Sequence, residues 1–170
     1  MTILIHPATP ALTTGDLTEG ERLFLWCTRR WVGAMFRKVS PTEEILPALR
    51  AHMLEGAASD IDDLMSALAA HARRTIDVRI RSATELSRDE MLLCRTFTAA
   101  GDGHQDLAAT LMSEMMFGSG LGTVLPVLES ITAAFAVSGL DQSPAVVTRP
   151  ARQPHGRVPG RSHILRLQSL

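Results

Sequence analysis

Trp26 is the first residue whose type and setting point to chemistry. On a helical wheel Glu19, Arg22, Arg29, Arg30, Gly33 and Arg37 share one sector, and Trp26 falls in its middle. Phe24, Cys27, Thr28, Trp31, Val32 and Met35 fill a broad apolar arc. A large aromatic among arginines has the composition of an interface anchor, and a guanidinium beside an indole supports cation–π stacking. Trp26, Arg22, Arg29 and Arg30 are therefore the candidate partner-binding residues. They suit an acidic partner, an anionic ligand or a second copy of the chain. The competing reading is that another part of the chain covers Trp26 and makes it core. The same stretch, Glu21 to Lys38, holds five basic groups and one acid, the makeup of a helix lying on a membrane surface. Its apolar arc is wide enough to favour a central core helix instead.

Other residue groups carry weaker signals. Gly118-Ser119-Gly120-Leu121-Gly122 precedes a helix, where free backbone amides cradle anions, so Gly118, Ser119, Gly120 and Gly122 are candidate anion contacts. The cluster follows a helix rather than a strand, lacks the P-loop lysine and misses the dinucleotide spacing. It does not fit the nucleophile elbow either. A helix break that allows close packing is the simpler reading. His52 and Glu55, three residues apart, share a helical face as metal ligands can. A structural zinc site needs four converging ligands and a catalytic one usually three, and no second His/Glu pair completes a two-metal centre. Asp60, Asp62 and Asp63 read as an acidic helix start, without the ligand spacing or central glycine of a calcium loop. Cys27 and Cys94 read as reduced core residues. No catalytic residue is assigned and no cofactor is implied.

The elements that must position these residues are helices. Thr18 with Glu21 is a capping box that opens a helix over about 19–37. Ser40-Pro41-Thr42-Glu43 is a second start, with proline at the permitted first position. Pro47 is expected to interrupt this second helix, leaving a turn and then a helix to about Glu55, closed by Gly56. Ser59 and Asp62 are expected to start a third helix with Ile61, Leu64, Met65, Leu68 and Ala72 as its apolar stripe. From Thr75 to Ser82 the period changes: Ile76, Val78 and Ile80 alternate with Asp77, Arg79 and Arg81. Such a strand needs a partner, and Thr2–Ile5 and His163–Leu167 are the candidates; unpaired, it is an extended linker. Ser87 with Glu90 caps the next helix, with Leu86 and Met91 as its hydrophobic staple. After Gly101, a tight Gly-Asp-Gly turn leads to a helix from about Asp102 to Phe117, with Leu107, Ala108, Leu111, Met112 and Met115 inward. A last helix covers about 123–138, stopped by Gly139.

Together these readings predict a mainly helical, all-α domain: about six helices in a compact bundle over 16–140, with an optional two-stranded β element involving 75–82. Residues 1–15 read as an extended lead-in. After Asp141, prolines alternate with arginines and apolar residues thin out, so 141–170 reads as a flexible, disordered tail. The chain has 170 residues, enough for one domain with a real core. Its five Phe, two Trp and absent Tyr leave Leu, Ile, Val, Met and Ala to build that core. Net charge is −1, but residues 142–170 hold five arginines and no acid, leaving −6 on the rest. Lysine occurs once, as Lys38, against sixteen arginines, a bias read as genomic base composition before function.

The N-terminus lacks the pattern of a signal peptide, and no stretch approaches an uninterrupted membrane-spanning run. A cytoplasmic location is expected. The hairpin over 87–117 matches a DNA-reading helix-turn-helix in outline only, because its second helix offers His104, Gln105, Asp106 and Glu114 and no basic residue. Contact of the basic tail with nucleic acid would be nonspecific. The residues support two functional readings. The first is a non-enzymatic interaction or regulatory protein, self-associating or binding a protein partner through the first helix or the tail. The second is a small-molecule- or metal-binding helical protein, an enzyme included, with an apolar pocket between helices lined by Met112, Met115 and Met116.

Overall fold

A computed structural model describes residues 12–140 and 164–166. Six helices form one bundle: α1 (Glu19–Arg37), α2 (Pro41–Ala51), α3 (Ala57–His71), α4 (Arg88–Gly101), α5 (Gln105–Ser113) and α6 (Leu121–Val137). A short strand, β1 (Asp77–Arg79), lies between α3 and α4 and pairs antiparallel with β2 (Ile164–Arg166), Val78 opposite Leu165. The alternation at Ile76, Val78 and Ile80 thus marks a real strand, with Ile76 and Val78 facing the core. The other candidate partner, Thr2–Ile5, lies outside the described residues, as does the predicted tail apart from 164–166. From the lead-in, the Thr14 amide donates to Thr84 O (2.8 Å) and the Leu86 amide to Leu12 O (3.0 Å), which ties 12–14 alongside 84–86.

Three helix starts follow from their caps. Thr18, Ser40 and Ser87 each accept a hydrogen bond from the amide three residues on, and Glu21 and Glu90 complete the two capping boxes. The ends share one device. α1, α2, α4 and α6 each close on a residue in the left-handed region, at Lys38 and Met53 (φ 58°) and at Gly103 and Gly139 (φ 78°). After each, the next amide reaches back five residues to a carbonyl in the last turn, as from Leu54 to Leu49 (2.9 Å) and from Leu140 to Phe135 (3.2 Å). This is the Schellman closure. Leu54 and Leu140, the residues just past it, turn inward and are buried.

Several expected boundaries are corrected. α2 does not break at Pro47 but runs through it. The ring sits on the exposed side, where water serves the carbonyl that lost its amide partner. The helix ends at Ala51, because the Met53 closure comes before Gly56 is reached. α3 starts at Ala57 rather than Ser59, with no side-chain cap. α5 starts at Gln105 and stops at Ser113, because Met116 bridges to Ala72 and the Phe117 amide donates to His71 O (2.9 Å), drawing the chain out of the helix. Leu107, expected inward, is 47% exposed. Met35, placed in the apolar arc of α1, is exposed at the end of that helix.

The core is centred on aromatics despite their scarcity. Phe24 of α1 stacks on Phe97 of α4 with ring centroids 4.6 Å apart, and Phe97 meets Phe135 of α6 edge-on at 5.2 Å. Each such pair adds about 0.5–1.5 kcal/mol beyond the area it buries. Ile45, Leu49, Ile61, Leu64, Leu68, Leu93, Val124, Leu128 and Ile131 pack around them in the core. Trp31 is buried among them and donates its indole N–H to Asp62 Oδ1 at 2.6 Å. Gly118–Val137 is the one helical stretch among the described residues long and apolar enough to cross a membrane by length and composition. Its residues Val124, Leu128, Ile131 and Phe135 are instead buried in the bundle core.

Candidate functional site

The second turn of α1 faces the segment that leads from β1 into α4. Arg22, Leu25, Trp26, Arg29, Thr14 and the stretch Arg81–Thr84 line a cleft of about 290 Å³ there. Leu25 forms the buried edge, packed with Leu86 and Cys94 in a satellite cluster. Trp26 packs partly buried against the core and lines the cleft with the rest of its surface. The Arg30 guanidinium lies over its ring, 5.4 Å from the centroid, within cation–π range. Glu44 of α2 holds Arg30 there through an ion pair of 2.8 Å and also meets Arg37 at 3.1 Å.

Arg29 does not belong to the open surface, contrary to the expectation from the helical wheel. It is 6% exposed. Its Nε and Nη2 bind the two oxygens of Glu90 at 2.7 and 2.9 Å. Nη1 donates to Ala83 O at 2.6 Å and Nη2 to Glu85 O at 3.3 Å. Glu90 is fully buried and also accepts the Arg79 and Ser87 amides, both at 2.9 Å. A buried ion pair with four of the five guanidinium N–H groups bonded forms a strut, not a docking group. This strut holds the 83–85 segment against α1 and so shapes the wall of the cleft. Periodicity alone misplaces Arg29 because a helix wheel cannot show that a second layer, the 77–86 segment, covers the polar sector of α1.

Two arginines in the cleft remain uncommitted. Arg22 and Arg81 are exposed, and among the described residues neither makes an ion pair. Sequence patterning does not single out Arg81; its only signal is its place at the end of an alternating strand. A neighbouring cluster shows what commitment looks like. Asp89 receives Arg74 at 2.6 and 2.8 Å and the Asp77 amide at 2.7 Å. Burial works against the Asp89 carboxylate, but the Arg74 guanidinium and the Asp77 amide outweigh it and hold the group below its ordinary value of 3.8. In effect Asp89, Glu90 and Ser87 at the start of α4 satisfy the edge of β1 that β2 leaves open.

The other sequence-predicted sites do not assemble. Gly118–Gly120 form a 3-10 turn that runs straight into α6. The Gly120 amide donates to Phe117 O and the Leu121 amide to Gly118 O, so these two amides are spent within the turn. A Cβ on Gly120 would lie 2.3 Å from Met116 Cε and 2.7 Å from His71 Cγ, whereas one on Gly122 would meet nothing. Close packing accounts for a glycine at Gly120. His52 ends α2 and Glu55 lies in the turn beyond, so the two do not share a helical face. No group of three or more His, Cys, Asp or Glu converges among the described residues. Met112, Met115 and Met116 are fully buried in the core. An open apolar groove of about 650 Å³ lies elsewhere, between the turn at Met53 and the end of α6 at Val137. Two polar side chains there, Asp60 and Ser130, bond to each other at 2.7 Å.

Cys27 and Cys94 are free and buried. Desolvation pushes the Cys27 thiol up to about 12 and raises Cys94 further still. Neither is a nucleophile at neutral pH. Comparison with protein-family models, with curated proteins and with solved structures finds no match to this chain.

Proposed function

We propose that this chain is a non-enzymatic interaction or regulatory protein that engages a protein partner at the cleft beside α1. One observation carries the reading: Trp26, partly buried, lines a concave site with two exposed arginines, Arg22 and Arg81, that no acid of the described fold pairs with. By contrast, Arg29 and Arg74 are both committed to carboxylates, of Glu90 and Asp89. An aromatic platform flanked by unpaired guanidiniums is what binding hot spots are made of. The strut of Arg29 and the clamp of Glu44 on Arg30 fix the platform in advance, which lowers the ordering cost of association.

The test is a photocrosslinking amino acid at Thr84, an exposed residue on the wall of the cleft. Illumination in the cells that naturally make the protein is expected to give a discrete heavier adduct, and Trp26→Ala is expected to abolish it. Only uncrosslinked chain, or an adduct indifferent to Trp26→Ala, would oppose the reading.

A further inference from the structure

We infer that the occupant of the cleft is an acidic segment of a different protein, presenting a carboxylate side chain to Arg22 and Arg81 and an adjacent apolar side chain to Trp26 and Leu25. This rests on the docking role proposed above and names its partner chemistry.

Size argues first. The cleft, about 290 Å³ and half-open, falls at the lower edge of dedicated small-molecule pockets, which run to about 300–1,000 Å³. One or two side chains offered from a larger surface fill such a space. Lining argues next. Leu25 and Trp26 give it an apolar floor, while Arg22 and Arg81 supply exposed guanidiniums that fork onto carboxylates in paired hydrogen bonds. An apolar residue next to an acidic one meets both demands; a bare anion meets only one.

Charge separates a foreign partner from a second copy. A two-fold dimer through this face would set two basic clefts against each other, and like charges brought together at an interface cost several kcal/mol. The rest of the chain outside 142–170 is acidic, at −6, so the cleft is a positive spot on a negative body. That pattern steers a locally acidic segment to one place and repels it elsewhere. A nucleic-acid strand carries charge at every nucleotide and would meet that negative body on either side of the cleft.

The experiment titrates the full chain into two fluorescein-labelled peptides, one of alternating Glu and Leu and one with Gln in place of Glu, and reads anisotropy. The Glu peptide is expected to bind saturably, at least about tenfold tighter than the Gln peptide, with affinity falling as salt is raised. Arg22→Glu and Arg81→Glu are each expected to lose about tenfold, Trp26→Ala a similar factor, and Arg95→Glu, an exposed arginine outside the cleft, little. Circular dichroism confirms that each variant is folded. Equal binding of the two peptides, an equal loss on Arg95→Glu, or tighter binding of a single-stranded oligonucleotide overturns the inference. A crosslinked adduct of twice the chain mass, from the Thr84 experiment, overturns it too. If peptide binding fails while a Trp26-dependent adduct to another protein persists, the acidic-segment inference falls and the docking role stands.

Discussion

Replacing Arg29 by Met tests the reasoning about the wall of the cleft. The guanidinium contributes two of the four hydrogen bonds that Glu90 accepts, and the Arg79 and Ser87 amides supply the others. Methionine keeps the apolar stem but strands a fully buried carboxylate with half its donors. Breaking a buried pair from one side costs about 3–5 kcal/mol. The carbonyls of Ala83 and Glu85 also lose a donor, but those residues reach solvent, so water replaces most of that loss. Against a total stability of about 5–15 kcal/mol, the variant should be severely weakened yet measurable. Adding Glu90→Leu removes the stranded charge, so the double variant should be no worse than the poorer single, with a coupling of about 2–3 kcal/mol. Urea unfolding followed by circular dichroism at neutral pH measures all four chains. A loss under about 1 kcal/mol for Arg29→Met, or strict additivity, would refute the strut.

Three further outcomes are expected from the geometry. Gly120→Ala should lower stability by about 1–3 kcal/mol in urea melts because its Cβ collides with His71 and Met116; Gly122→Ala, in open space within α6, should raise it by about 0.5–1 kcal/mol. The Asp89 group is depressed in the fold, so its stabilising effect is complete above the unfolded value near 3.8 and is lost as pH falls through the lower, folded value. Between about pH 6 and about pH 2.5, wild type should therefore lose more stability than Asp89→Asn, and parallel curves would contradict this. Both thiols should resist a disulfide reagent at pH 8 until the chain unfolds, because burial raises Cys27 to about 12 and Cys94 beyond it; rapid labelling of the native protein would show the burial to be wrong.

Local chemistry made much of this fold legible. Thr18, Ser40 and Ser87 announced helices through their caps, and Gly139 its stop, because those interactions close within a few residues. The strand at 77–79 was legible from its period alone. The end of α2 was not, because Met53 occupies the left-handed closing position that Gly103 and Gly139 fill elsewhere, and methionine gives no warning of it. The cleft was half legible. Trp26 and Arg22 stand out on the polar side of α1, but Arg29 is misplaced there, since the segment that buries it is more than fifty residues away in sequence. Arg81 escapes notice for the same reason: only the fold brings the end of the strand segment across from α1.

The central claim, that an acidic segment docks on Trp26, is most directly tested by the two indole N–H signals of the chain labelled with ¹⁵N. Trp31 is buried and bonded to Asp62, so its signal serves as an internal reference for the fold. On titration with the Glu/Leu peptide, the Trp26 signal should shift saturably while that of Trp31 stays in place. A stationary Trp26 signal at saturating peptide, or equal movement of both, would contradict the account.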